Sequence, residues 1–332
     1  MTRYLLQIAG LLSILLISCT QVEKKRIVYL HPSVSRMRFV QEGNFITERL
    51  NQLGAKATMV DANDDEALQI AKGMKLVDSG VDMLIIVPVN GNTIAPLVRY
   101  AKDKGVAVMA YNRLINNTYY DFFVTGDNIN NAEIFCTAAL AQKPTGNYVI
   151  LAGDRFDRNG YELKLAIDSI LKPHVESGNI NIVYESYIEL WGRDASAFEL
   201  DQVIQSWGTD IDAVIASGDQ MAGGVIAVLK KYGIEGSMVV TGQNAEKEAI
   251  GNIIKGFQTV SIYHPHKTLG YKTAEVAMAL LNGDKPKKLS NATSFNGTAS
   301  IPTLRMKSVA ITKNNYQKEL IETGEYKMSE FE

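Results

Sequence analysis

Gly105-Val-Ala-Val-Met-Ala-Tyr-Asn-Arg-Leu-Ile-Asn-Asn117 decides the fold of this chain. Its apolar run, Val106 to Ala110, shows no polar alternation, as expected of a strand buried on both faces of a parallel sheet. The run gives way abruptly to Tyr111, Asn112 and Arg113. An aromatic ring, an amide and a guanidinium thus follow the carboxyl end of a strand, where open α/β sheets hold their ligands. This stretch is expected to form one wall of a small-molecule site.

Working outward, strand and helix patterns alternate on both sides. Ile27 to Leu30, Lys56 to Val60 and Met83 to Val87 read as strands, with helices over Met37 to Leu53, Asp64 or Asp65 to Ser79, and Thr93 to Lys104 between them. The alternation then restarts with strands at Phe122 to Thr125, Tyr148 to Leu151, Ile180 to Tyr187, Ala213 to Ala216 and Met238 to Thr241, each followed by a helical pattern. Two such sets predict an α/β protein of two doubly wound, Rossmann-like lobes. Beyond Gly242 come another helix, the strand Thr259 to Tyr263, the helix Thr268 to Asn282, short strand-like runs at Ser300 to Leu304 and Val309 to Ile311, and a polar helix near Tyr316 to Thr323. A late excursion of this kind suits a chain that returns to the first lobe and then goes back to the second, which would create a hinge.

With 332 residues, 46% of them apolar, the chain can bury two cores. Residues 1–18 read as a leader: Arg3 is followed by the apolar run Leu5 to Ile17, which is shorter than the ~20 residues a membrane span needs. Leu16-Ile17-Ser18-Cys19 resembles a bacterial lipobox, so Cys19 is expected to become a lipid anchor followed by a polar tether over residues 19–25. Loss of the leader removes one cation from 34 Lys and Arg against 36 Asp and Glu, and the slightly acidic balance is not that of a nucleic-acid binder. Cys136 then has no partner and sits among helical apolar positions, so it reads as a core residue and no disulfide or cysteine-based zinc site is expected. The four histidines show no metal-ligand spacing, and Gly-x-Ser-x-Gly and phosphate-loop motifs are lacking, so neither a catalytic residue nor a cofactor or metal is expected. His264 and His266 read as a rim contact and a solvated neighbour.

Several short motifs carry a family resemblance together. They are Leu53-Gly54-Ala55-Lys56, Val87-Pro88-Val89-Asn90-Gly91, Tyr111-Asn112-Arg113-Leu114-Ile115-Asn116, Ala222-Gly223-Gly224, Thr241-Gly242-Gln243-Asn244-Ala245, Gln258-Thr259-Val260 and Lys313-Asn314-Asn315. In this order the chain resembles the type I periplasmic sugar-binding proteins, above all the xylose-binding members that serve bacterial ABC importers. The resemblance implies a first lobe over residues 26–125 and 243–296 and a second over 126–242 and 297–325. It places three crossovers near Thr125 to Asp127, Gly242 to Asn244 and Asn296 to Pro302. Together with the lipobox, it implies a lipid-anchored extracytoplasmic monomer that closes around a monosaccharide and presents itself to a membrane permease or a sensor kinase. Sugar repressors share this core, but no DNA-reading helix-turn-helix precedes the first strand.

A sugar ring offers apolar C–H faces and a rim of hydroxyls, so a site needs aromatic plates and planar hydrogen-bonding partners. By resemblance, Arg38 and Arg113 are the hydroxyl clamps and Phe39 a stacking plate, although Phe39 also fits the apolar face of its helix. Asp157, Asn159 and Trp191 would supply the second lobe's contacts, with Asp219 either a contact or a helix cap. The departures concern charge. Asn112 and Asn244 stand where the family has Asp, Gly218 replaces an Asn, and His264 replaces a Lys. With two carboxylates gone and both arginines kept, and with Arg36, Arg155, Arg158 and Arg193 near the mouth, the expected ligand is a sugar other than free xylose, an acidic one included.

Overall fold

The computed structural model describes residues 24–35 and 37–331. The leader, Cys19, most of the tether and Arg36 lie outside the described residues. No described helix is long and apolar enough to cross a membrane.

The first sheet has seven strands. β1 (Arg26–His31), β2 (Lys56–Asp61), β3 (Met83–Ile86), β4 (Ala107–Tyr111) and β5 (Phe122–Gly126) are joined by β11 (Ala292–Phe295) and β12 (Ser300–Met306), in the order β11-β12-β5-β4-β3-β1-β2. The second holds β6 (Gly146–Ala152), β7 (Ile180–Tyr187), β8 (Ala213–Ala216), β9 (Val239–Gln243), β10 (Val260–Tyr263) and β13 (Val309–Ile311), in the order β13-β10-β9-β8-β6-β7. Five parallel strands of each sheet therefore run 2-1-3-4-5 by their order in the chain, the doubly wound arrangement.

The organising strand pairs with β3 on one side and β5 on the other. Met109 and Tyr111 point into one core layer, with Leu50 and Leu269, and Val108 and Ala110 into the opposite one, with Leu97 and Val98. Both faces are covered by helices, which is why the strand reads as a continuous apolar run. The first layer is closed by α1 (Met37–Gln52), and the second by α2 (Glu66–Asp78) and α3 (Ala95–Asp103). In the second lobe α4 (Asn128–Gln142) and α5 (Arg158–Glu176) cover one face, and α6 (Arg193–Trp207) and α7 (Asp219–Tyr232) the other. Cys136 is fully buried on α4, and burial pushes its thiol up to about 12, the behaviour of a core residue.

The lobe boundaries differ from the expectation in two places. β10 pairs in parallel with β9 through Thr241, Gly242 and Gln243, so the chain has not left the second sheet at Gly242. The intervening α8 (Lys247–Lys255) completes a βαβ unit, in which consecutive parallel strands lie side by side. The second crossover falls instead between β10 and α9 (His266–Leu281), which packs on α1 of the first lobe. β12 pairs in parallel with β5 and antiparallel with β11, so both belong to the first sheet, and the third crossover follows Met306. The first crossover lies at Gly126 and Asp127, within its expected segment. Near the end, the expected polar helix is a single wide turn, Gln317–Ile321.

Candidate ligand-binding site

A cleft of about 510 Å³ is lined by residues that follow the carboxyl ends of strands in both sheets. All ten residues singled out from the sequence as ligand contacts line it: Arg38, Phe39, Asn112, Arg113, Asp157, Asn159, Trp191, Asp219, Asn244 and His264. Among the lining residues that sequence reasoning passed over are Asn128, Asn131, Gln220, Gln243 and Glu246.

On the first-lobe wall, Arg38 begins α1 just after β1. Its Nε donates to Glu42 Oε1 at 2.9 Å, and Glu42, fully buried, also meets His266 Nδ1 at 2.9 Å. Burial alone would push the Glu42 carboxyl up, but the Arg38 guanidinium and His266 outweigh it and hold it below its ordinary value. His266 is therefore a buried partner of Glu42 and not the solvated neighbour expected. Arg113 donates to the carbonyls of Pro88 and Val89, both at 3.2 Å, and its guanidinium lies 5.8 Å from the centre of the Phe39 ring. Phe39 belongs to the first core layer and also lines the cleft.

On the second-lobe wall, Asp157 caps α5 by accepting from Asn159 N at 2.9 Å, and Asn159 Oδ1 accepts from Asn128 Nδ2 at 3.2 Å. Trp191 sits on a turn whose Leu190 and Trp191 both have left-handed φ, 54° and 56°. Its ring lies so close over Gly153 that a Cβ there would come within 2.2 Å of it. Asp219 is not the cap of α7, a position held by Gly218. Its buried carboxylate instead accepts from Glu246 N at 2.8 Å, Gln258 Nε2 at 3.0 Å and Ser261 Oγ at 2.7 Å. Burial pushes the Asp219 carboxyl up to about 7 despite these donors.

His264 lies on the second crossover. Its Nδ1 is 2.9 Å from Ser308 Oγ, on the third. Burial, then the nearby charges of Arg38 and His266, push it well below the ordinary histidine value, so the ring is neutral at physiological pH. Three buried polar atoms on residues lining the cleft have no hydrogen-bond partner among the described residues: Arg38 Nη2, His264 Nε2 and Asn131 Oδ1.

The charge expectation is corrected here. Arg38 has a carboxylate partner after all, Glu42, four residues along its own helix. Of the arginines expected to raise the potential at the mouth, Arg158 pairs with Glu162 at 2.7 Å, Arg193 forks onto Glu248 at 2.6 and 2.8 Å, and Arg155 lies over the Tyr187 ring. Asp157, Asp219 and Glu246 line the cleft together with Arg38 and Arg113. The polar lining thus carries both signs of charge without an excess of cations, is dense in amides and includes the rings of Phe39 and Trp191.

The family model described as "Periplasmic binding protein domain" matches residues 27–285. The chain belongs to the periplasmic binding protein family. Among periplasmic binding proteins it is 32% identical to the D-xylose-binding periplasmic protein of Escherichia coli (strain K12), across 88% of each chain. It is 31% identical to the protein of the same name from Haemophilus influenzae, across 86% of each. A solved ABC transporter solute binding protein from Clostridium phytofermentans, holding β-D-glucose, superposes with a TM-score of 0.79 at 24% identity, covering 93% of this chain and 100% of the other. These relatives are solute-binding proteins, and this periplasmic binding protein is not an enzyme.

Proposed function

We propose that this chain captures a neutral monosaccharide or related polyol between its lobes and delivers it to an ABC permease in the cell envelope, held at the membrane by a lipid on Cys19. The observation that carries this reading is the cleft itself. Amides from both lobes, two arginines and the plates Phe39 and Trp191 converge on one cavity. Such a set suits a ring with apolar faces and a hydroxyl rim. The xylose-binding relatives and the glucose-bound neighbour support a sugar as ligand.

Neutral ligands are favoured over acidic ones because Arg38 is paired with Glu42 and because His264 is uncharged where the family's lysine would be cationic. A uronate would bring a negative charge to a cleft already lined by Asp157 and Glu246.

The test is a thermal-shift screen of residues 20–332 against pentoses, hexoses, cyclitols and uronic acids. A ligand at 100 times its Kd stabilises the protein by about 2.7 kcal/mol, a clear rise in melting temperature. Stabilisation by one or more neutral sugars is expected. A rise with uronic acids alone would overturn the neutral reading, and no rise with any of them would overturn the sugar itself.

A further inference from the structure

The buried stripe of α4 comprises Asn131, Ala132, Phe135, Cys136 and Ala139. Four of the five are apolar and pack in the core of the second lobe; the fifth, at the end nearest the first crossover, is an amide 1% exposed. An amide in that place costs stability unless its polar atoms find partners. Half of Asn131 does so: Nδ2 donates to Gln243 Oε1, the last residue of β9, at 3.0 Å. The other half does not, since Oδ1 is buried with no hydrogen-bond partner among the described residues, on a side chain that lines the cleft.

We infer that Asn131 is a specificity-determining contact, its Oδ1 accepting a hydrogen bond from one hydroxyl of a neutral sugar or polyol. The inference rests on reading the cleft as a sugar site. A carbonyl oxygen can only accept, so the ligand atom facing it must carry a proton. A hydroxyl does so, while a carboxylate oxygen does not, and a deoxy position leaves the acceptor unpaired. Arg38 Nη2, unpartnered on the opposite lobe, can only donate. A rim of hydroxyls, each both donor and acceptor, satisfies both walls at once. Gln243 holds the amide in the orientation that presents its oxygen, so the reading atom is set before the ligand arrives.

The experiment is calorimetric titration of the wild type, Asn131→Leu and Asn131→Asp with the best neutral sugar and its monodeoxy analogues. In the wild type, one deoxy analogue should bind about tenfold or more weakly than the parent. Asn131→Leu should weaken the parent by a similar factor and no longer distinguish that analogue, whereas Asn131→Asp, which keeps an acceptor, should still distinguish it. If Asn131→Leu discriminates among the analogues as the wild type does, the inference falls and the sugar reading stands. If the wild type binds no neutral sugar, both fall together. Should Asn131→Leu fail to fold, the side-chain amide resonance of Asn131 in the wild type decides: a shift on adding the parent but not that analogue supports the contact, and no shift overturns it.

Discussion

Asn112 and Asn244 occupy equivalent places, each directly after the fourth strand of its lobe's doubly wound set. Each donates its backbone N–H to the fifth strand at 2.8 Å, Asn112 to Val124 O and Asn244 to Ile262 O, and each has positive φ, 62° and 107°. Asn and Asp both tolerate that region, so exchanging one for the other changes charge without disturbing the backbone. Asp219 shows what a retained carboxylate in this cleft costs. Gly242 leaves it room, since a Cβ there would meet Asp219 Oδ1 at 2.1 Å, and its donors hold it in place, yet burial still lifts its pKa to about 7. A carboxyl raised above its unfolded value of ~3.9 contributes stability that is fully present below that value and lost as pH rises through the folded one. The melting temperature of the wild type relative to Asp219→Asn should therefore fall between about pH 4 and the folded value of about 7, and level off above it. A difference that does not change with pH across this range would show that Asp219 titrates normally.

At the scale of elements, the turn Glu189–Trp191 is where backbone strain meets the site. Successive left-handed residues other than glycine cost about 1–2 kcal/mol each. Asp154 offsets part of this, its Oδ2 accepting from Leu190 N at 2.7 Å while its Oδ1 accepts from Phe156 N at 2.7 Å, so that one buried carboxylate ties together two loops of the cleft. Leu190 is 87% exposed and gives up little burial, so Leu190→Gly should relieve its strain at the expense of unfolded-state entropy, for a net gain of up to about 1 kcal/mol. Urea unfolding with an unchanged slope should show the higher midpoint; a lower one would mean that the leucine is held by contacts and not tolerated against them. The alternation of strands and helices was legible because each buried strand is a short apolar run between glycines and polar caps. The lobe to which β10 and β12 belong was not, since parallel strands covered on both faces look alike whichever sheet receives them. β11, Ala-Thr-Ser-Phe, has no apolar run to read. Many residues at or after strand ends were legible as cleft-lining, although Asn128, Gln243 and Glu246 were passed over; Glu42 and Asn131 lie within helices, where a polar residue ordinarily reads as part of a solvated face. The signal for Asn131 was its place in a stripe that is otherwise apolar.

For the whole molecule, three crossovers join the lobes, and His264 sits among them. It belongs to the second, meets Ser308 on the third, and a Cβ on Gly126 of the first would lie 3.9 Å from its Cε1. A ligand bonded to Nε2 would thus touch the hinge as well as both walls. It can favour closure only by the difference between its affinities for the closed and open states, which requires contacts from both lobes. Dye pairs placed through Asp103→Cys on α3 and Glu176→Cys on α5 of residues 20–332 report the separation of the lobes, because Cys136 is buried with its thiol pushed up to about 12 and resists labelling. Saturating sugar should move the distribution to higher transfer efficiency, with a midpoint equal to the calorimetric Kd. Arg113→Ala, which would remove one proposed first-lobe contact and leave Arg38, Phe39 and Asn112, should bind more weakly and close less completely even when saturated, because the first lobe then holds the ligand less tightly. Full closure of that variant at saturation would place the closing contacts on Arg38 and the hinge instead, and an unchanged wild-type distribution would mean that the ligand is held without closure.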